Sequence, residues 1–419
     1  MGINSCGTTL IDEGTFKNIG AITWDTTAKT AGFTAVGGNG YFVNTTSGAI
    51  TVTLPATPTA GDAVAISDYA NTADTNNITI GRNGSNIQGT ASDFFINTEG
   101  ASVLLIYVDA TKGWLLIDAA KASDIVEDKQ YIVATGGTIT CCGDYKIHTF
   151  TSPGTFCVSA VGNAAGSNSV DYLVLAGGAA GGGEIGGGGG AGGYREGYNP
   201  GSYTASPLAT SALPVCASPY PITVGGGGST GPRFTAAPSG SPSIFSTITS
   251  AGGGGGTSYY GGTAGSGGSG GGAGGNSGCG GSGNTPPVSP PQGQNGGNAN
   301  PTYNSGTHGG GGGGAGEAGS PASAGGGDES GGDGVTSSIN GSAVTRGGGG
   351  GGAGGPQDGS AGVGGAGGGG AAGPFPGGTG TPGTANTGGG GGGAAYPNGC
   401  NVMGTGGSGI VIIRYKYQN

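Results

Sequence analysis

The constraint that narrows this chain most is a set of uninterrupted glycine runs in its second half: Gly186–Gly190, Gly225–Gly228, Gly252–Gly256, Gly309–Gly314, Gly347–Gly352 and Gly388–Gly393. Collagen is excluded, because its triple helix places glycine only at every third position. Helix and ordinary sheet are disfavoured, since each glycine costs about 0.5–1 kcal/mol relative to alanine in either setting. An extended path of the polyproline-II type remains. It turns once every three residues without internal hydrogen bonds, so six glycines make about two turns and span about 19 Å. The N–H and C=O groups of such a run point outward in three directions, and burying them requires partners on neighbouring runs. Without Cβ atoms the neighbours can approach closely. The expectation is a lattice of parallel and antiparallel runs joined by main-chain hydrogen bonds, each worth about 1 kcal/mol net, with weaker Cα–H···O contacts added.

Two apolar segments enclose the glycine-dense stretch from Ala176 to Gly409, namely Asp171–Ala176 and Ile410–Tyr415. A flexible linker has no reason to end on strand-like sequence at both sides, so the two segments are expected to pair as β-strands closing a folded domain. The alternative is a disordered linker, whose amides would exchange freely throughout. Between the runs lie excursions carrying aromatics and prolines: Tyr194–Tyr198, Pro219–Pro221, Tyr259–Tyr260, Asn284–Pro287, Pro301–Tyr303, Pro374–Pro376 and Tyr396–Pro397. Run and excursion alternate as the internal repeat. Loops on a stiff scaffold are where recognition usually sits. Tyr194, Tyr198, Tyr203, Tyr220, Tyr259, Tyr260, Tyr303, Phe375 and Tyr396 are therefore candidate receptor contacts, because aromatics combine a large contact area with a polar tip and stack well on sugars or flat ligands. The competing reading is that they cover the flanks of the lattice.

Composition excludes several function classes. The 111 Gly and 22 Pro exceed the usual threshold for a low-complexity chain, yet charged residues are only 8%, unlike disordered chains kept soluble by Lys and Glu. A formal charge of −10 with no basic patch argues against nucleic acid. The start of the chain has no charged region followed by an apolar run, so neither a secretory signal nor a membrane-spanning helix is expected. Cys6, Cys141, Cys142, Cys157, Cys216, Cys279 and Cys400 contain no C-x-x-C pair and are expected to be small buried thiols rather than zinc ligands. The two histidines, His148 and His308, have no Cys or carboxylate nearby at ligand spacing, and they are expected to be bystanders. Asp328, Glu329 and Asp333 lack the spacing of a calcium loop and are expected to be solvated. Matches to G-x-G-x-x-G carry no information in so glycine-rich a chain without a strand-to-helix context. No catalytic residues, cofactor or metal are expected.

The first third alternates short β-type runs, such as Ala49–Leu54, Ala63–Ile66, Asn77–Ile80, Ser102–Val108 and Gly113–Ile117, with turn-forming residues. No helix-period segment interrupts them. The expected organisation is an attachment segment over 1–30, a β-sandwich or barrel-like domain over 31–120, a linker over 121–130 and a small β unit over 131–176. The glycine-rich polyglycine-II-type domain follows over 177–419, with its closing strand at 410–417. The fold class is thus all-β N-terminal units, then packed polyglycine-II-like helices closed by β-strands, with essentially no α-helix.

Several motifs carry a resemblance. Gly40–Pro55, Asn76–Ile80, Arg82–Ile87 and Tyr107–Trp114 resemble a β domain of virion appendage proteins of tailed phages, notably marine cyanophages. Val170–Gly178, Ile222–Gly225, the run after Ala251, Ser338–Gly341 and Gly406–Tyr415 resemble the glycine-rich domain of phage tail-fibre and adhesin proteins. The resemblance implies a polyglycine-II sandwich with receptor-binding loops at its distal edge. It implies a non-enzymatic tail fibre or tip adhesin, made in the host cytoplasm and resident in the virion. The implied partners are a host receptor, either polysaccharide or outer-membrane protein, and other virion proteins met through the N-terminal region. The resemblance also implies a homotrimer. The long shaft of a full-length fibre is lacking here, so a purely structural appendage, such as a head fibre, decoration or self-assembling filament subunit, is the alternative.

Overall fold

A computed structural model describes residues 3–5, 8–11, 22–119, 125–127, 129–163, 165–231, 235–276, 278–300, 307–323, 329–356, 361–396 and 402–418. No helix occurs among them, and the chain is all-β outside its glycine lattice. It divides into two compact units, Met1–Lys129 and Gln130–Asn419.

In the first unit the chain zigzags between two five-stranded sheets. Thr23–Lys29, Asn39–Val43 and Ala63–Asp68 lie parallel in one sheet, which Ser102–Asp109 and Gly113–Ala119 extend antiparallel. Phe33–Thr34, Ile50–Thr53 and Ile78–Gly81 lie parallel in the other, followed by Phe94–Ile96 and Ile125–Glu127. Each pass leaves one strand in each sheet, which is why neighbours are parallel although the connections are short. The alternating residues Val43, Val64, Ile66 and Leu105 of one sheet meet Val52, Ile78, Ile80 and Ile96 of the other in a single core, with Trp114 fully buried beside them. Two expected boundaries shift. Thr23–Lys29 is a strand of the sandwich rather than part of an attachment segment, and Ile125–Glu127 pairs with Phe94–Ile96 inside the expected linker.

The second unit begins with two sheets of its own. One orders Val133–Thr135, Gly154–Ala160, Pro219–Thr223, Ser243–Phe245 and Ile248–Ser250. The other orders Thr138–Cys142, Tyr145–Phe150, the closing strand Ile410–Lys416, the opening strand Ser169–Leu175, Tyr194–Tyr198 and Ala209–Ser211. The opening and closing strands pair antiparallel from Asp171 with Arg414 to Leu175 with Ile410, as the sequence led one to expect. Val411 and Ile413 face a core shared with Phe156, Phe245 and Tyr172, while Ile410 and Ile412 face Leu173, Tyr194, Ala315 and Ile339. Burial on both faces explains why the closing strand is apolar at every position from Ile410 to Ile413. The expected small unit over 131–176 is therefore not separate. Its strands interleave with strands from beyond residue 190 because each hydrophobic face needs a partner sheet.

From the sheets the chain runs out into the glycine lattice. The run 186–193 shows its geometry. N–H groups of Gly186, Gly189 and Gly192 donate to Ala394, Gly391 and Gly388; those of Gly187, Gly190 and Gly193 donate to Thr257, Gly254 and Ala251; those of Gly188 and Ala191 donate to Gly310 and Gly313, all at 2.7–3.1 Å. Every third residue addresses the same neighbour, as a three-residue turn requires. The carbonyls answer in kind, accepting from Gly182, Ala179 and Ala176, from Gly272 and Ser269, and from Ala353 and Gly350. One run is thus surrounded by six others. The run 347–353 repeats the arrangement with partners at 186–189, 309–315, 329–332, 362–365, 367–370 and 390–393. A Cβ added to Gly188 would lie 1.9 Å from the carbonyl oxygen of Gly350, and one added to Gly350 would lie 2.0 Å from that of Gly391. Absence of side chains is what lets these backbones meet.

Candidate functional site

Pairing fixes which ends of the runs coincide. Residue 187 is bonded to both 182 and 257, residue 186 to both 353 and 394, and residue 188 to 310 in parallel sense. The turns after 182, 257, 353 and 394, and the segment entering 309, therefore gather at one end of the lattice. At the other end the runs pass into the strands Ser169–Leu175, Tyr194–Tyr198, Ile248–Ser250 and Ile410–Lys416. We call these ends the tip and the base.

The tip holds a cavity of about 290 Å³ lined by Glu184, Ile185, Tyr259, Tyr260, Thr307, Pro356 and Tyr396. Tyr259 and Tyr260 stand edge to face, with ring centroids 4.8 Å apart. Tyr260 and Tyr396 are exposed, whereas Glu184, Ile185 and Thr307 are buried in the floor and wall. The turn beneath them is held by the N–H of Tyr259 donating to the Glu184 carbonyl (2.9 Å) and that of Gly275 donating to the Ile185 carbonyl (3.0 Å). The turn 374–377 reaches the same region, since the Gly377 N–H donates to the Tyr396 carbonyl. Next to Thr307 in the chain, the buried His308 places Nδ1 3.2 Å from Oε1 of the buried Glu329. Among the described residues no cluster of His, Cys, Asp and Glu is arranged to hold a metal ion.

The base is polar in a different way. The buried Glu196 carboxylate accepts from the hydroxyls of Tyr194 and Tyr203 (both 2.9 Å), the N–H of Ser206 (3.0 Å) and the hydroxyl of Ser337. Burial, and next the adjacent Glu196 charge, push both tyrosine hydroxyls well above their ordinary range. Arg414 donates to the carbonyls of Ser202 (2.8 Å) and Ile339 (3.3 Å), and its guanidinium lies over the Tyr145 ring. Burial pushes the Asp171 carboxyl up, although it accepts from both the N–H and the side-chain amide of Asn199. His148 is fully buried, with Nδ1 2.7 Å from the Gly136 carbonyl and Nε2 3.1 Å from the Tyr415 hydroxyl. A carbonyl only accepts, so Nδ1 carries the proton and Tyr415 donates to Nε2. Burial holds this imidazole below the usual histidine range.

A family model described as a glycine-rich domain matches residues 151–416. The chain belongs to that family. The match covers well over half of the chain and starts ahead of the strand Gly154–Ala160, so the glycine-rich domain takes in the sheets at its base as well as the runs. No curated protein resembles the chain closely enough to be called a relative.

Within the glycine-rich domain the nine candidate aromatics sort by end. Tyr259, Tyr260 and Tyr396 line the tip cavity, and half-buried Phe375 sits in the neighbouring turn. Tyr303 lies outside the described residues. Four belong to the base. Tyr194 is a correction: it is 1% exposed, packs in the core with Leu173 and Ile412, and cannot meet a receptor. Tyr203 serves the same Glu196 network, Tyr220 packs on Phe156 and Phe245, and Tyr198 lines an open groove with Asn168, Asn199 and Thr210. Two further expectations change. Glu329 is buried against His308 rather than solvated, whereas Asp333 is exposed as expected while accepting the Ala366 N–H at the base; Asp328 lies outside the described residues. The exposed thiols Cys141, Cys216 and Cys279 are not buried as expected, whereas Cys6 and Cys400 lie outside the described residues. Sequence reading missed Glu184, Ile185 and Thr307. The signal available for the first two was their position: a Glu-Ile pair interrupts glycines on both sides.

Proposed function

We propose that this chain is the non-enzymatic host-recognition protein of a tailed-phage appendage, a tail fibre or tip adhesin that attaches through loops carried on the glycine lattice. One observation carries the reading: three exposed or half-exposed tyrosines converge on a cavity at the end of the lattice away from its sheets. Aromatic rings fixed on a rigid support bind with little conformational loss, the usual economy of a recognition surface. The domain order of the resemblance, with a β domain first and a display domain last, supports the same reading. The tip meets a polysaccharide or outer-membrane protein of the host, the N-terminal region meets other virion proteins, and the assembly is a homotrimer in the virion.

The test uses purified full-length chain. The reading predicts saturable binding to host cells and competition with phage adsorption, both reduced by Tyr260→Ala combined with Tyr396→Ala. Absence of cell binding, together with filaments or capsid-wide antibody labelling in electron micrographs, would replace it with a purely structural appendage.

A further inference from the structure

The turn at the floor of the tip cavity breaks the rule that governs the rest of the lattice. Glu184 and Ile185 have φ of +47° and +51°, the left-handed region that residues with a Cβ, and β-branched isoleucine above all, adopt reluctantly. Glycine fits such a turn without strain, and in this chain glycine flanks the pair on both sides. Two consecutive side chains have instead been kept where the backbone asks for none, and both line the cavity. Strain of this kind is retained where the side chains themselves are needed.

We infer that the tip cavity is a binding site for an uncharged saccharide of one or two pyranose rings, seated against Tyr260 and Tyr396 and hydrogen-bonded by Glu184 and Thr307. The volume, about 290 Å³, lies at the lower limit of the range of about 300–1,000 Å³ for small-molecule sites, which suits one or two rings and excludes a flat protein epitope from the interior. Its walls are split in the manner a sugar requires. The C–H faces of a pyranose stack on tyrosine rings, while its hydroxyls need partners that accept as well as donate. The Glu184 carboxyl group supplies acceptors, and the hydroxyls of Thr307 and the tyrosines serve in either sense. The described lining contains no Lys or Arg, and the chain as a whole carries −10, so acidic sugars are disfavoured. Ile185 is buried, and its carbonyl, accepting the Gly275 N–H, helps fix the floor.

This inference rests on the adhesin reading and names the ligand class of its site. The test is titration of the full-length chain, by ligand-observed NMR and calorimetry, with methyl glycosides of glucose, galactose, mannose and N-acetylglucosamine, their disaccharides, glucuronic acid and a sialoside. At least one neutral member should bind and the acidic members should not. Tyr260→Ala and Glu184→Gln should each weaken binding about tenfold or more. Tyr396→Ala separates ligand binding from structure: at an exposed ring it should lower affinity while leaving the melting temperature unchanged. Failure of every saccharide at tens of millimolar, or binding that survives both Tyr260→Ala and Glu184→Gln, overturns the inference. Cell binding is measured in parallel. Cells bound without any saccharide binding would sink the saccharide site and keep the adhesin; a saccharide bound without cells would do the reverse.

Discussion

The two units of this chain make their cores from opposite materials. In Met1–Lys129 the backbone is spaced by strand pairing and the interior is filled by Val, Ile, Leu and Trp side chains, as Val64, Ile80, Leu105 and Trp114 illustrate. In the glycine lattice the backbone is itself the filling, and a run such as 186–193 is buried with scarcely a side chain. The first arrangement draws on removal of apolar surface from water, about 25 cal/mol per Å². The second draws on main-chain hydrogen bonds, each modest in net worth but numerous, and on avoiding the larger cost of burying N–H and C=O groups unpaired. The tolerance to substitution inverts accordingly. A sandwich core accepts hydrophobic swaps of similar volume, whereas glycine positions of the lattice such as Gly188 and Gly350 have no room for one methyl group.

The largest effect is expected from adding that methyl. Gly188→Ala should cost more than about 4 kcal/mol or abolish folding of the glycine-rich domain, because the Gly350 carbonyl that it meets is backbone and cannot rotate aside. Gly226→Ala is the matched control, since nothing lies within 4 Å of its added Cβ; it should be neutral or stabilising by about 0.4–1 kcal/mol through the unfolded chain. Denaturant midpoints of the two variants test the contrast directly. Equal effects would mean that the runs are not packed. In the sandwich, Leu105→Ala should cost about 2–5 kcal/mol through the cavity it leaves. The transition of the glycine-rich domain gives the reference for comparison.

Next in size is the polar base. Glu196→Gln keeps the volume but sets an amide donor against groups that were all donating, so a loss of about 1–3 kcal/mol is expected. A pH titration of stability should expose His148. Its folded pKa is lowered by burial, so between that value and the ordinary histidine range the unfolded chain binds the proton and the folded chain does not. Stability contributed by the neutral ring is complete above the ordinary range and declines as pH falls below it. His148→Asn should flatten that decline. The smallest effect belongs to the tip, where Tyr260→Ala should change the unfolding free energy by about 0.5 kcal/mol or less, since the ring is largely exposed.

What the sequence revealed follows the same division. The lattice was legible because five or six consecutive glycines exclude every other buried backbone, and the apolar segments at 171–176 and 410–415 announced the strands that close it. Strand-forming runs in the first unit were legible too, but not their parallel pairing, because alternation marks which face is buried and says nothing of which strand lies beside which. The tip was half legible. Tyr259, Tyr260 and Tyr396 stood out as aromatics among glycines, whereas Tyr194 has the same local sequence character and points into the core. Which end of the lattice a turn occupies depends on run pairing, and pairing between glycine runs leaves no side-chain pattern to read. The His308–Glu329 pair was hidden for the same reason: the two residues sit on segments brought together by lattice neighbours rather than by spacing.

The claim that carries everything else is that the glycine runs are folded and held by hydrogen bonds in three directions. Native-state amide exchange measures it most directly. The amides of residues 186–193, 309–313, 347–353 and 390–394, each bonded to a neighbouring run, should exchange slowly and together, with protection comparable to the strands Ser169–Leu175 and Ile410–Lys416. Exchange at the rate of an unstructured chain across those runs, with protection confined to the strands, would contradict the lattice.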